Sequence, residues 1–242
     1  MKQPIALVAA MQEEVDALLA AFPQHDAHTH FHTRLYRARH DDQDVVIAQT
    51  GVGKVNAACT LTLLLSDFDP ACVINTGSAG GLQPHQRILD FVVPEAIVYT
   101  DVDITPLGLT YGQMMGCEPR FKTSPELLAL FRAVAAEDPA RPVCHHGLLG
   151  SSDAMICSTA QVNAIRARFN GEVQCVDMEG GAIAQACTRF GVPYLVLRTL
   201  SDTPCKGDNV VDFQNFLAQA SQTSAELCFR LVRQLSQMKA LS

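Results

Sequence analysis

The sequence predicts an α/β fold in which a twisted, mostly parallel mixed sheet is covered by helices on both faces, giving three layers (α/β/α). Short runs rich in Val, Ile and Leu alternate with segments of helical periodicity, the pattern of strand–helix units around a parallel sheet. The chain has 242 residues, 48% of them hydrophobic, which is enough to bury a sizeable core. No repeat, low-complexity stretch or linker divides it, so residues 1–242 are interpreted as a single domain.

The first third of the chain supplies a strand, a helix and a hairpin. Residues 4–10 form an apolar run and predict a strand, and residues 13–22 have helical spacing. The runs 35–39 and 44–50 flank the turn-like pair Asp41-Asp42 and predict an antiparallel hairpin.

The remaining elements continue the alternation. Pro94 falls within a long apolar run, so it predicts an edge position or a bulge. Segment 100–119 is interrupted by Gly and Pro and is too apolar for a solvated loop. We therefore predict an irregular segment that covers another part of the protein. The further strands are predicted at 71–77, 88–99, 143–150, 173–177 and 194–200, and the helices at 53–66, 124–136, 159–169, 179–191 and 212–238.

Charge and the start of the chain limit the partners. A net charge of -7 argues against a nucleic acid or an anionic membrane surface, because either would be repelled; a small neutral or zwitterionic molecule fits better. Only Lys2 precedes the first apolar run, and Glu13 and Glu14 follow too soon for a signal peptide or membrane span. We therefore expect a cytoplasmic protein.

Neither the cysteines nor the histidines predict a metal site. The nine cysteines are scattered without a CxxC pair, which is typical of reduced, mostly buried thiols. His28, His30 and His32 would share one face of a strand, but no neighbouring Cys or carboxylate completes a zinc site. An exposed edge strand is the better interpretation, and we expect no metal or other cofactor.

Three carboxylates follow predicted strands. Glu14, Glu179 and Asp202 come just after separate strands, whose carboxyl ends form one rim in an open α/β sheet. Each alone has a structural explanation: Glu14 and Glu179 open helices, where the helix dipole favours acids by ~0.3–1 kcal/mol, and Asp202 can cap a turn. Their joint placement beside glycines favours a ligand site.

The glycine-rich segment 51–54 does not predict a phosphate-binding loop. A P-loop needs a glycine at Ala48 and a hydroxyl at Val55, and a dinucleotide fingerprint needs a glycine at Asn56. Gly51 and Gly53 are better explained by a tight strand-to-helix turn.

Several segments in one order carry a family resemblance. NTGSAGGL (75–82), VDMEGGAIA (176–184) and LRTLSD (197–202) resemble the purine nucleoside phosphorylase/uridine phosphorylase superfamily. MQEEV (11–15) and TGVGKVNAA (50–58) narrow the resemblance to the methylthioadenosine/S-adenosylhomocysteine nucleosidases. GSSDAMI and DFQNFLA extend the similarity over nearly the whole chain. A nucleoside phosphorylase-like fold is therefore implied.

The resemblance implies hydrolysis of the N-glycosidic bond of 5′-methylthioadenosine, S-adenosylhomocysteine or both, with release of adenine and a 5-thioribose product in methionine salvage. By that resemblance Asp202 is the general acid at adenine N7, Glu14 activates water and Glu179 binds the ribose hydroxyls. This chemistry places positive charge on the ribose and negative charge on adenine, so a proton donor and a carboxylate-held water lower the same barrier. Asp202 must then be protonated at neutral pH, which requires a desolvated or hydrogen-bonded setting.

Further substrate-binding residues are implied in the same way. They are Ser78 for the water, Met178 for the sugar, Ser201 and Arg198 for orienting the acid and the base-binding loop, Met155 and Ile156 for the adenine edge, Phe213 for its face, and Val52.

Water is favoured over phosphate as the nucleophile. Asn75 stands where purine nucleoside phosphorylases have an arginine, and acidic residues replace the glycine and arginine of their N-terminal phosphate site. The alternatives are a phosphate-dependent purine nucleoside phosphorylase, a nucleosidase for another 5′-modified adenosine such as aminofutalosine, and a nucleoside-binding protein without catalysis.

Departures from the family concern the 5′ end of the substrate. In many of these nucleosidases, the loop equivalent to 100–119 gives aromatic and proline side chains to the pocket of a partner subunit, so a homodimer is implied. Here Leu107, Leu109 and Met115 occupy that loop, and Met155 stands where phenylalanine is common. These changes either repack the pocket at constant volume or reshape it, and substrate preference stays open.

Overall fold

The structure is a computed structural model that describes residues 2–31, 33–137, 142–204 and 209–238. Within these ranges the helices are α1 Gln12–Ala21, α2 Lys54–Phe68, α3 Pro125–Ala136, α4 Thr159–Arg168, α5 Gly180–Phe190 and α6 Asn209–Gln237. The strands are β1 Ile5–Ala9, β2 His25–His30, β3 Thr33–His40, β4 Gln43–Gln49, β5 Cys72–Gly81, β6 Phe91–Tyr99, β7 Phe121–Lys122, β8 Cys144–Ser151, β9 Val173–Asp177 and β10 Tyr194–Asp202.

The strands form one mixed sheet in the order β10-β6-β8-β9-β5-β1-β4-β3-β2, with β7 paired to β6. Strand β5 pairs in parallel with both β1 and β10, and β6–β8, β8–β9 and β1–β4 are also parallel. Because β10 pairs with β6 as well as β5, the strands β5, β10, β6, β8 and β9 close into a ring. An open sheet is expected from the sequence, and the closed ring departs from that expectation.

Helices cover both faces of the sheet, which confirms the three-layer prediction. Alternate residues of β1 enter opposite cores: Ile5 and Leu7 pack with α1, α3 and α6, whereas Ala6 and Val8 pack with α2 and α5. Strand β1 is buried on both sides, so its sequence is continuously apolar rather than alternating.

The predicted elements are found with small shifts. Strand β6 begins at Phe91 rather than at residue 88, because Leu89 has a left-handed φ of 72° and the Arg87 amide donates to the Asp90 side chain. Pro94 lies at a bulge against β8, as predicted. Gly51 and Gly53 have φ of 77° and 96° in the turn that leads into α2, as expected.

The histidine-rich segment forms the edge strand β2, on which His28 is exposed. His30 lies 3.4 Å from Asp67, and His32 is outside the described residues. The eight cysteines in the described ranges are free thiols, of which four are buried, and Cys205 lies outside those ranges. Among the described residues, no helix has both the length and the hydropathy needed to cross a membrane.

Candidate active site

A cavity of about 300 Å³ lies at the carboxyl ends of β1, β5, β9 and β10. Among the residues proposed above, eleven line it and two, Leu107 and Met115, do not. The lining consists of Ala10, Met11, Glu14, Val52, Asn75, Thr76, Gly77, Ser78, Ala79, Gly80, Ala154, Met155, Ile156, Val176, Asp177, Met178, Glu179, Arg198, Ser201, Asp202 and Phe213. The three carboxylates that follow separate strands therefore meet at one site.

Glu14 is held by hydrogen bonds at both of its carboxylate oxygens. The backbone amides of Ala10 and Met11, where β1 leads into α1, donate to Oε2 at 3.0 Å each. The amide and hydroxyl of Ser78 donate to Oε1 at 3.0 and 3.3 Å. The residue is 3% exposed, and this burial raises the pKa of Glu14, against the lowering by its amide donors and by the charge of Arg198. A raised pKa makes the ionised carboxylate a stronger proton acceptor.

Glycines of β5 leave room for two of the carboxylates. A Cβ on Gly77 would lie 3.2 Å from Glu14 Oε1, and one on Gly80 would lie 3.3 Å from Asp202 Oδ2. Both separations are tighter than ordinary van der Waals contact. The glycine-rich end of β5 thus lets the acidic side chains lie directly against the sheet backbone.

Asp202 is the last residue of β10 and is only 5% exposed. The hydroxyl of Ser201 donates to its Oδ1 at 2.8 Å. The register of β10 against β5 shifts between Leu200 and Asp202, and this irregularity accommodates the two polar residues at the strand end. Asp202 is therefore almost fully desolvated, and the Ser201 hydroxyl fixes the position of its Oδ1.

Glu179 precedes α5 and receives the backbone amide of Gly53 on Oε1 at 2.9 Å. It is 8% exposed, and burial, reinforced by the nearby charge of Asp177, raises its pKa to about 7. At neutral pH the carboxylate is consequently poised between its protonated and ionised forms.

This raised pKa predicts a pH dependence of stability. An unfolded glutamate has a pKa near 4.5, so between about pH 4.5 and 7 the folded ligand-free protein holds a proton that the unfolded chain releases. The stabilisation from this group is full below about pH 4.5 and is lost as pH rises through about 7. The contribution of Glu179 to the free energy of unfolding should change by a few kcal/mol over this range, at about 1.4 kcal/mol per pKa unit. Glu179→Gln should therefore gain stability relative to the unsubstituted protein between pH 5 and pH 8.

Urea unfolding at pH 5 and pH 8 gives the free energy of unfolding of Glu179→Gln and of the unsubstituted protein. The difference between the two proteins should increase from pH 5 to pH 8. Glu226→Gln, a substitution of an exposed glutamate on α6, is the matched control. An equal difference at both pH values for Glu179→Gln would contradict the raised pKa.

Arg198 forms a buried ion pair beneath the cavity. Its Nη2 lies 2.6 Å from Asp177 Oδ2 and also donates to Asn75 Oδ1 at 2.6 Å. Both members of the ion pair are essentially inaccessible, and Asp177 Oδ2 also accepts the amide of Gly180. The guanidinium thus bonds to the segment that carries Met178 and Glu179, an arrangement that sequence reasoning did not predict.

The rest of the cavity wall is largely apolar. Met155 and Ile156, between β8 and α4, and Phe213, in α6, face it together with Val52 and Met178. Met155 and Val52 are 43% and 46% exposed in the single chain. An apolar wall beside a few converging polar groups is typical of a small-molecule site.

Segment 100–119 is irregular apart from one 3₁₀ turn at Thr105–Leu107, as predicted. Leu107 and Met115 are 66% and 57% exposed and lie outside the cavity of their own chain, and Leu109 is half-buried. Leu107 and Met115 are two of the ten large apolar side chains that are exposed among the described residues.

Known proteins match this chain over nearly its whole length. Residues 4–233 match the family model of the phosphorylase superfamily. A 5′-methylthioadenosine/S-adenosylhomocysteine nucleosidase of Anoxybacillus flavithermus is 38% identical over 232 residues, which cover 96% of this chain and 99% of that protein.

Two solved structures have nearly the same fold. The 5′-methylthioadenosine/S-adenosylhomocysteine nucleosidase of Neisseria meningitidis, in complex with methylthio-immucillin-A, superposes with a TM-score of 0.92 at 31% identity, covering 96% of this chain and 100% of that one. A futalosine hydrolase mutant of Helicobacter pylori gives 0.91 at 28% identity, with the same coverage of both chains. The family match and the 38% identity over nearly the full length show that this chain belongs to the phosphorylase superfamily and, within it, to the 5′-methylthioadenosine/S-adenosylhomocysteine nucleosidases.

Proposed function

We propose that this protein hydrolyses the N-glycosidic bond of 5′-methylthioadenosine and S-adenosylhomocysteine, with residues 1–242 acting as one domain. The observation that carries the proposal is the meeting of Glu14, Glu179 and Asp202 in one cavity with an apolar wall. Relatives of matching length and fold act on these nucleosides, as their names state.

In the proposed mechanism the N9–C1′ bond breaks and its electron pair stays with adenine. Asp202 donates a proton to N7 as the base departs, with Ser201 fixing Oδ1. Water held by Glu14 and Ser78 adds to C1′ and gives its proton to Glu14. The products are adenine and the free 5-thioribose, and solvent returns the proton from Glu14 to Asp202. The two carboxylates act as they do in glycoside hydrolysis.

Glu179 accepts hydrogen bonds from the ribose hydroxyls while Gly53 holds its other side. The hydroxyl donors favour the ionised form of Glu179, so substrate binding lowers the pKa that burial has raised. Arg198 acts on this side of the cavity, because its ion pair with Asp177 holds the segment that presents Met178 and Glu179. Met155, Ile156, Val52 and Phe213 enclose the adenine and sugar.

Water rather than phosphate is the proposed nucleophile because the cavity presents carboxylates where an anion would have to bind. Arg198, the one arginine among the described lining residues, already donates to Asp177 and Asn75. Phosphate beside Glu14 would meet like charge in a desolvated site.

The exposed Leu107 and Met115 fit a homodimer in which segment 100–119 completes the pocket of the partner around the 5′-thio group. Burial of these side chains would remove apolar surface from water, which favours association. We further propose a cytoplasmic role in methionine salvage, with no nucleic acid or membrane partner.

Adenine release from methylthioadenosine, S-adenosylhomocysteine and aminofutalosine tests the substrate class. We expect turnover of both thionucleosides. Turnover of aminofutalosine alone would favour the alternative, a nucleosidase for another 5′-modified adenosine; the structural relative from Helicobacter pylori is named a futalosine hydrolase. Binding of nucleosides without any adenine release would instead favour a binding protein.

A further inference from the structure

Three chain segments meet beside Lys54, the first residue of α2, close in sequence to the cavity-lining residues Val52 and Ala154. Its Nζ contacts both carboxylate oxygens of Asp101 at 2.8 and 2.7 Å. Its backbone amide donates to Asp153 Oδ1 at 2.7 Å, and its Nζ lies 3.7 Å from Asp153 Oδ2. The amide of Asp153 donates in turn to Asp101 Oδ2 at 2.9 Å. One lysine therefore joins residues from three separate loops.

Each of these loops leads directly to a part of the cavity. Gly53, next to Lys54, donates the amide hydrogen bond to Glu179. Asp153 immediately precedes the cavity-lining residues 154–156. Asp101 follows β6 and begins the segment that contains Leu107 and Met115. A displacement of any of these loops would thus move groups that are proposed to contact the substrate.

The packing around Lys54 leaves little freedom for alternative arrangements. A Cβ on Gly53, whose φ is 96°, would lie 3.2 Å from Asp153 Oδ1, so the two loops are in close contact. The Lys54 Nζ also lies 5.1 Å from the ring centroid of Tyr99. That ring lies directly against Gly181, where a Cβ would meet it at 2.4 Å. Lys54 therefore also contacts the residue that supports the first turn of α5, just beyond Glu179.

The charges make the lysine the element that holds the loops together. The lysine side chain is 20% exposed, and those of Asp101 and Asp153 are 31% and 51% exposed. Without the ammonium group, the Lys54 backbone amide would still bond Asp153, but the carboxylates of Asp101 and Asp153 would be bridged by the Asp153 amide alone, and their repulsion would move the Asp101 loop away. Such a partly buried, multiply bonded lysine differs from an isolated surface ion pair.

We propose that Lys54 is a positioning residue that sets the distance of Gly53 from Glu179 and the placement of residues 154–156 in the cavity wall. This role rests on the proposed nucleosidase function, and the contacts that support it are present in the ligand-free protein. Its location after two glycines resembles a phosphate-binding lysine, yet it binds carboxylates.

Lys54→Met tests the proposal, because methionine keeps an apolar stem and removes the charge. We expect kcat/KM for methylthioadenosine to fall about 10- to 100-fold, mainly through KM, since a displacement near 1 Å at a positioning contact has effects of this size. Lys54→Arg should recover much of the activity that Lys54→Met loses, because a positive charge of similar reach returns beside Asp101, while its planar guanidinium differs in shape from the ammonium group. Arg120→Met, which removes an exposed ion pair with Glu172, is the matched control.

A double-mutant cycle with Glu179→Gln separates positioning from general destabilisation. If Lys54 acts through the Gly53–Glu179 contact, the two substitutions together should cost much less than the product of their separate effects. Full multiplication of the effects, or an unchanged KM in Lys54→Met, would overturn the proposal while leaving the nucleosidase function intact.

Amide hydrogen exchange provides a readout that does not depend on turnover. In ligand-free Lys54→Met we expect faster exchange in residues 152–158, which lie far from the substitution in sequence and keep their intrinsic rates. Unchanged exchange there would overturn the positioning role whatever the activity of the protein. Absence of adenine release by the unsubstituted protein would overturn the proposed function alone.

Discussion

Asp202→Asn is expected to lower kcat for methylthioadenosine by about 10²–10⁴-fold, the usual contribution of a general acid. Asparagine has nearly the same shape and can still accept the hydrogen bond from Ser201, so the cavity should persist. It cannot deliver a carboxylic proton to N7, and the departing adenine would leave as an unstabilised anion.

Steady-state adenine release, with adenine affinity measured on the same preparation, checks this expectation. Affinity for adenine within about tenfold of the original value would show that the site is still formed, since tenfold corresponds to about 1.4 kcal/mol. A kcat within about tenfold of the unsubstituted protein, well short of the loss expected for a missing general acid, would contradict the role of Asp202.

Glu14→Gln is expected to have an effect of similar size, about 10²–10⁴-fold in kcat, because the amide cannot take the proton of the attacking water. The neighbouring Glu13→Gln is the matched control. Glu13 is exposed on the same helical turn, so both substitutions remove one charge near the start of α1. Only Glu14 lies in the cavity.

The comparison between the two variants excludes a simple effect of helix charge. Glutamine at position 14 retains one acceptor for the amides of Ala10, Met11 and Ser78, so some loss of stability is also expected, and thermal unfolding should be recorded with the kinetics. Equal activity of Glu14→Gln and Glu13→Gln in folded protein would remove Glu14 from the mechanism.

The layered fold was predictable because its local signals are strong. The buried strand β1 is a continuous apolar run, β10 begins with one over Tyr194–Leu197, and the helices between the strands have clear periodicity. Short or polar strands lack those signals, so β7, with the two residues Phe121–Lys122, was missed. The closure of β10 onto β6 involves only two residue pairs, Arg198–Val92 and Thr199–Phe91, and no local pattern encodes it.

The meeting of the carboxylates was also predictable, because residues after adjacent strands share one rim. Their hydrogen-bond partners were not. Gly53 and Glu179 are 126 positions apart, and Arg198 and Asn75 are 123 apart, so only the fold brings them together. The segment containing Gly53 and Lys54 resembles an incomplete phosphate-binding motif in the sequence. In the structure these two residues bind carboxylates instead.

In the proposed homodimer, the 5′ end of the substrate would contact residues of the partner subunit. Leu107 and Met115 are exposed here, and the proposed partner subunit would determine what they contact. Sedimentation at low protein concentration, combined with the rates for methylthioadenosine and S-adenosylhomocysteine, would relate this surface to substrate preference.

The most direct test of the account is turnover of methylthioadenosine in isotopically labelled water, without phosphate and then with phosphate added. We expect the same rate of adenine release in both, with the label in the C1 hydroxyl of the thioribose. Adenine release that requires phosphate and yields an unlabelled sugar 1-phosphate would contradict it.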